Sequence, residues 1–380
     1  KAGTPVQPSD LCYLNNASVG LQSPTVSARL RDWLEAEMAV YPRQRLESAI
    51  WDLQATRTRL AGWIGAPEPQ VAFGASTSQL MGQVMGSLDL AGRRLLVAPG
   101  EWASNIVMLR RLGGEPPRHI ELLATDADGR FDMAAIANQI GEDVAAILTP
   151  LVTSIEGRRY DVEALGNLPR PSHCPLIVDA AQGLGQTEVD VRQLGCDVLV
   201  ATTRKWLRGP RGMALLYVSQ PAVAMMHPNP APELAGLRLD RETQRFLDLP
   251  QARRFDASDV SIMNQVTLTT AINELQQITL EALREHLTTL TERIYELARE
   301  RGFRPLLQQP ESGIATIHLP DAAPLQIHQK LDAAGIVAKV CDTAAEPLNV
   351  RLPTTGALVR ISPHWHNTKD DIDRAMAALR

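Results

Sequence analysis

Apolar positions along the chain follow two periods in turn. Ser23-Pro24 reads as a helix N-cap followed by proline at the first helical position. Val26, Leu30, Leu34 and Met38 then recur at helical spacing until the chain meets Pro42. A second helix is expected from Ser48 to Ile64, closed by Gly65. Short apolar runs follow at 71–73, 95–98, 145–148, 176–178, 198–200 and 214–218, and their length suits strands. Helical patterns at 79–88, 105–112 and 133–140 separate several of them. Strands alternating with helices predict an α/β fold built on a mostly parallel sheet covered on both faces.

The pattern changes after Met225. Residues 225–251 are rich in proline and mixed in polarity, which predicts a long surface segment and a candidate substrate lid. A long helix is expected over 261–301, interrupted at Ile278-Thr279-Leu280 and ended before Gly302. Apolar runs at 313–319 and 337–340, a helix over 325–334 and a last helix after Thr368 predict a smaller α+β domain. A chain of 380 residues exceeds the ~250–300 that one core supports. The expected division is an N-terminal arm (1–22), a large domain (23–258) and a small C-terminal domain (259–380). The helix over 24–41 can pack with either domain.

Composition narrows the partners. The chain is 44% hydrophobic and 21% charged with a net charge of −5, which argues against nucleic-acid or anionic-membrane surfaces. Apolar runs fall short of the ~18–20 residues of a membrane span, and Lys1-Ala-Gly-Thr-Pro5 lacks an apolar leader core. Cys12, Cys174, Cys196 and Cys341 are scattered, with no CxxC and no ligand-like pairing with histidine. Reduced thiols, no metal and a cytoplasmic location are therefore expected.

The candidate chemistry centres on Lys205. Upstream, an apolar run ends in Val178-Asp179-Ala-Ala-Gln182-Gly; downstream, another ends in Thr202-Thr203-Arg204-Lys205-Trp206, followed by Gly209-Pro-Arg-Gly212. An amine, a carboxylate and small donors are what pyridoxal phosphate (PLP) requires of a protein. Lys205 would condense with its aldehyde and, once displaced by substrate, act as base. Asp179 would favour the protonated ring nitrogen. Ser76 and Thr77, in the turn Phe73-Gly-Ala-Ser-Thr-Ser-Gln79, would hold the phosphate at a helix N-terminus, with Thr202 and Arg204 closing it from the lysine side. Trp102 would stack on the ring, and Gln182 and Ser154 would reach its phenolic oxygen. Arg360 would grip a substrate carboxylate, with Asn16 and Ala17 as another edge of the pocket. Taken singly, a serine-rich turn is usually a cap and an aromatic usually core packing; the weight lies in the combination.

These segments resemble the class V aminotransferase family, the PLP group that includes cysteine desulfurases, isopenicillin N epimerase and kynureninase-like enzymes. The resemblance runs from Tyr13-Leu-Asn-Asn-Ala17 to Arg360-Ile-Ser-Pro-His364-Trp-His-Asn-Thr368. Within the family, C–S lyases of the hercynylcysteine sulfoxide type look most alike. The resemblance implies the PLP-dependent transferase fold (aspartate aminotransferase-like, fold type I) and a homodimer with sites at the subunit interface. It gives Lys205, Asp179 and Arg360 the roles already read from the residues.

Two departures bear on the reaction and a third on the phosphate site. Desulfurases usually carry His before the PLP lysine, where this chain has Arg204. In one desulfurase branch a nucleophilic cysteine precedes a Pro-Leu pair; here that position is Ala344, and Cys341 lies three residues earlier. The Gly-Thr that many relatives place on the partner's phosphate is replaced by Arg254-Phe-Asp-Ala-Ser258-Asp259. The expected activity is therefore β-elimination from an S-substituted cysteine or its sulfoxide, giving pyruvate, ammonia and a thiol or sulfenate. An aminotransferase, an epimerase, a decarboxylating deaminase and a desulfurase using Cys341 stay open, as does a catalytically silent binding protein.

Overall fold

The computed structural model describes residues 11–39, 42–90, 92–112, 120–226, 237–256 and 261–380. The chain enters through a short strand, β1 (Cys12–Tyr13), then α1 (Pro24–Ala39) and α2 (Pro42–Trp63). α2 starts at Pro42 rather than at the expected Ser48. Proline suits the first turn of a helix, and the Arg-Gln-Arg-Leu-Glu after it favours helix, so the residue read as a stop is a start.

The central layer is built from β2 (Val71–Gly74), β3 (Arg94–Val97), β4 (Ile120–Leu122), β5 (Val144–Pro150), β6 (Leu176–Asp179), β7 (Val198–Thr202) and β8 (Ala214–Val218). Their spatial order is β2-β8-β7-β6-β5-β3-β4. β3 to β7 pair in parallel, and β8 runs antiparallel to both of its neighbours. Six of these strands fall on the predicted apolar runs. The seventh, β4, is an edge strand whose Glu121 faces Arg94 and Gln139, so it shows no apolar run.

Helices cover the sheet: α3 (Thr77–Gly86), α4 (Ala103–Leu112), α5 (Met133–Gln139), α6 (Val162–Gly166) and α7 (Gln220–Met225). Every residue of β5, β6 and β7 is buried. Leu176 and Val178 enter the core on one face, while Ile177, Val198 and Val200 enter that on the other. Burial on both faces explains why these strands read as continuous apolar runs.

Residues 227–236 of the candidate lid lie outside the described residues. The rest of the segment forms an antiparallel hairpin, β9 (Leu237–Asp240) with β10 (Arg245–Asp248). The long helix is broken where expected, into α8 (Ile262–Gln277) and α9 (Leu280–Glu300), and the Thr279 side chain accepts from the Ala282 amide to cap the second. α1 and α2 pack on α8.

A second sheet takes β11 (Arg304–Pro305), β12 (Ala315–Leu319), β14 (Lys339–Val340) and β15 (Ala357–Ile361) in the order β11-β12-β15-β14. Between them run α10 (Pro324–Ala333) and β13 (Ile336–Val337), and α11 (Lys369–Ala378) closes the chain. β1 pairs in parallel with β13, which ties the N-terminal segment to the C-terminal sheet.

One buried ion pair joins distant segments. Arg57 of α2 donates to both carboxylate oxygens of Asp256 at 3.1 and 2.9 Å, and the Phe73 amide of β2 donates to the same side chain at 2.8 Å. Replacing Asp256 with alanine removes both direct carboxylate hydrogen bonds of the Arg57 guanidinium, only 2% exposed, and leaves it Glu68 at 3.7 Å as its ion partner. A loss of about 3–5 kcal/mol is expected, read as a lowered urea midpoint.

Candidate active site

β6 and β7 lie side by side in parallel, with Asp179 opposite Val200, so both strands end at the same edge of the sheet. In open α/β sheets that carboxyl edge is where ligands bind. Asp179 is the last residue of β6; Thr202 ends β7, and Lys205 comes in the next turn. The two face one cavity of about 610 Å³. Arg204 and Gln182 line the same cavity, as do Ser76 and Thr77 from the α3 end and Trp102 from the loop after β3. Ser154, Ala17 and Arg360 complete the wall. Asn16 does not reach it. Its amide donates to the Ser362 carbonyl and accepts from the Leu21 amide, which commits it to holding backbone.

Burial sets the charges. The Lys205 ammonium loses solvation in the cavity, and Arg204 and Arg360 add to the effect against the opposing pull of Asp179, bringing its pKa down to about 7. Asp179 is raised by burial and held down by Lys205 and by the amides of Ala181 and Asn105. Arg360 is fully enclosed. It donates to the Ser154 carbonyl at 2.7 Å and the Ser18 hydroxyl at 2.6 Å, while its Nε has no partner.

The α3 turn offers an anion site. Ser76 caps the helix by accepting from the Gln79 amide at 3.1 Å, which leaves its hydroxyl hydrogen free. The Thr77 and Ser78 amides open the helix beside the cavity, where free N–H groups and the helix dipole favour negative charge. Arg204 lies across the cavity and donates to the Ser18 carbonyl. Gln182 is shared: its Oε1 accepts from the Trp206 indole at 2.9 Å and its Nε2 donates to Ala17 at 3.0 Å, leaving one N–H. Gly20 passes so close to Lys205 that a Cβ there would lie 2.1 Å from the lysine carbonyl oxygen.

Several groups escaped the sequence reading. Glu101, directly before Trp102, is fully buried; burial and the nearby Asp179 raise its pKa to about 8. Asn105 divides its amide hydrogens between Glu101 at 2.8 Å and Asp179 at 3.2 Å. The only signal was two polar residues one helical turn apart at the start of α4. Cys341, which the sequence placed short of the nucleophile position, does line the cavity, because β14 carries it there. Burial raises its thiol pKa although Arg360 and Lys339 oppose this. His364 sits behind the lysine turn, accepting from the Trp365 amide at Nδ1 and donating from Nε2 to the Trp206 carbonyl. Burial and Arg208 lower its pKa to about 3, so it stays neutral. His366 is likewise lowered, to about 4, and neither histidine lines the cavity. Arg254 is buried and donates to the Val223 and Met226 carbonyls, while Ser258 and Asp259 lie outside the described residues.

A family model, Aminotransferase class-V, matches residues 12–375, and the chain belongs to that family. A probable cysteine desulfurase of Pyrococcus abyssi is 24% identical over 380 residues, covering 97% of this chain and 94% of the relative. A probable hercynylcysteine sulfoxide lyase of Mycobacterium tuberculosis is 28% identical over 351 residues, covering 91% and 83%. Among solved structures, an apo cysteine desulfurase from Thermococcus onnurineus superposes with a TM-score of 0.86 at 20% identity, covering 98% of this chain and 94% of that one. The cystine C-S lyase C-DES, in complex with cysteine persulfide, gives 0.85 at 16% identity, covering 98% and 97%. The fold is that of PLP-dependent enzymes, and PLP is the cofactor. The cavity suits it: an amine poised near neutrality, a buried carboxylate and a helix N-terminus face one space.

Glu101 tests the electrostatics without the cofactor. An acid whose folded pKa is raised contributes stability that is whole below its unfolded pKa and is lost as pH rises through the folded value, here about 8. Glu101→Gln removes that dependence. Relative to the natural protein, the variant should therefore gain in melting temperature steadily from pH 5 to pH 8, which thermal scans at both ends of the range would show.

Proposed function

We propose that this enzyme is a carbon–sulfur lyase that cleaves an S-substituted cysteine or its sulfoxide by β-elimination, releasing pyruvate, ammonia and a thiol or sulfenate. The observation that carries it is that Lys205, Asp179 and Arg360 face one cavity, where burial lowers the Lys205 pKa to about 7 and raises that of the Cys341 thiol. PLP, when bound, supplies a sink for the electrons released at the substrate's α-carbon. Lys205 Nζ anchors it and, once free, takes the α-proton, for which a pKa near the working pH is suited. The electrons of the Cα–H bond form the Cα–Cβ double bond, and those of the Cβ–S bond leave with sulfur. The released enamine hydrolyses to pyruvate and ammonia. Asp179 would meet the ring nitrogen, and the Thr77 and Ser78 amides with Ser76 and Thr202 would hold the phosphate. Arg204 lends its charge there. Trp102, 40% exposed at the cavity, would cover the ring face, and the spare N–H of Gln182 would serve the phenolic oxygen. Arg360, in the cavity wall, would take the α-carboxylate.

Two names among the relatives support sulfur chemistry: the probable hercynylcysteine sulfoxide lyase and the C-S lyase C-DES. The second reading is a desulfurase with Cys341 as sulfur acceptor, favoured by the place of Cys341 in the cavity and by the probable desulfurases among the relatives. It requires a thiolate, which burial opposes here. We further propose that residues 23–258 and 259–380 form the large and small domains of a homodimer subunit. Four free cysteines support a reducing, cytoplasmic setting.

With S-substituted cysteines as substrates, pyruvate and ammonia are expected in equal amounts. A keto acid that retains sulfur would instead mean transamination, and alanine with a persulfide would mean desulfuration. Cys341→Ser should leave pyruvate formation within about threefold, and loss of turnover in that variant would favour the desulfurase reading. Lys205→Ala should lower turnover by about 10²–10⁴-fold. Trp102→Ala should weaken PLP binding about 2–10-fold, the worth of one aromatic stacking contact, measured by equilibrium dialysis.

A further inference from the structure

Arg360 on β15 and Lys339 on β14 are direct cross-strand partners in an antiparallel pair. Opposed residues in such a pair project to the same face, and here that face is the cavity wall, which both side chains line. Like charges directly opposite one another destabilise a sheet, so the arrangement calls for an anion.

The protein supplies one only through its field: Glu346 acts on Arg360, but its carboxylate oxygens accept from the Ile155 amide and the Asn349 side chain and it pairs with neither cation. Arg360 is 4% exposed, its hydrogen-bond acceptors are neutral oxygens of Ser154, Ser18 and Asn15, and its Nε is buried without a partner. Among the described residues the Lys339 side chain makes no hydrogen bond or ion pair. Cys341, next but one along the chain, feels the field of both cations. Asp342 lines the cavity too, but one of its oxygens caps the Ala344 amide and it makes no ion pair with Lys339. Arg211 adds a further cation to the cavity lining.

We infer that Lys339 forms a second anion subsite beside Arg360, so that the preferred substrates are cysteine conjugates whose sulfur substituent carries its own carboxylate or other acidic group. The inference rests on the reading of Arg360 as the α-carboxylate anchor. Arg360 then takes the carboxylate common to all amino acids, and Lys339, at the open side of the cavity, takes the acid at the far end of the substituent. A neutral substituent leaves Lys339 without a partner beside a second cation; an acidic one relieves the repulsion. The conjugate carries the discriminating charge, which places the step downstream of a reaction that joins cysteine to an acid-bearing carbon skeleton.

The test uses the PLP-loaded enzyme and reads binding from the change in cofactor absorbance, so it does not depend on turnover. The probes are S-carboxymethylcysteine and S-methylcysteine, which differ in the added acid. The acid conjugate should bind at least tenfold more tightly at low salt, and the preference should shrink as salt screens an exposed lysine. Lys339→Met should bring the ratio within about twofold, while Lys339→Arg should keep most of it. Equal binding of the two probes, or a ratio untouched by Lys339→Met, overturns the inference. If the preference appears but no pyruvate forms from either probe, the lyase reading falls and the anion subsite stands.

Discussion

The site depends on bringing an amine and a carboxylate out of water together. Lys205 and Asp179 are both enclosed, and each would lose most of its hydration in isolation. Placed in one cavity they compensate each other in part, and the remaining imbalance has a use. Lys205 falls to about 7, where it can both give and accept a proton. Asp179, held by two amide donors, stays a better anion than its burial alone would allow. The parallel pairing of β6 with β7 makes the apposition possible, since it brings both strand ends to one edge. If β7 ran antiparallel to β6, the lysine turn would open on the far side of the sheet.

A second tier of contacts keeps the lysine turn in place, and it draws on remote parts of the chain. Trp206 is locked by its indole on Gln182 and by its carbonyl on His364. Gln186 extends the same network to the Gly313 amide, just ahead of β12. The N-terminal segment then crosses the turn at Gly20, whose amide donates to the Arg204 carbonyl at 2.7 Å. Because β1 pairs with β13 and Asn15 bridges to Ser362, just after β15, that segment is tied to the C-terminal part of the chain. Arg360, Ser154 and Ser18 therefore meet at a junction of three stretches, and the cavity is closed by elements that are not neighbours in sequence.

That construction decides what could be read from the chain alone. The strands were legible because β5, β6 and β7 are buried on both faces and hence continuously apolar, and the Asp179 and Lys205 segments come directly after two of them. The edge strand β4 was not, since half-burial and Glu121 erase the pattern. Pro42 was read as an end when it is a beginning, because proline terminates and initiates helices at nearly the same place. Asn16 sat in a motif that does line the cavity at Ala17, but residues 16–18 form a turn closed by the Ser18 and Val19 amides on the Asn15 carbonyl, and that turn commits the Asn16 side chain to Ser362 and Leu21. Glu101 and Asn105 gave little sign of themselves. A buried acid is legible only through its partners, and Asp179 lies in another segment altogether.

The place of Cys341 shows how position and ionisation separate. β14 brings its thiol into the cavity, so geometry alone would admit it as a sulfur acceptor. Two cations stand close enough to favour the thiolate, and burial outweighs them. Sulfur attack needs the anion, whereas β-elimination needs only a base at the α-carbon and a sulfur that can depart. On the proposed reading Lys205 would meet the first requirement, and the second would belong to the substrate. The cations beside Cys341 are then left to act on the substrate, and a thiol kept neutral does not compete with it for their charge.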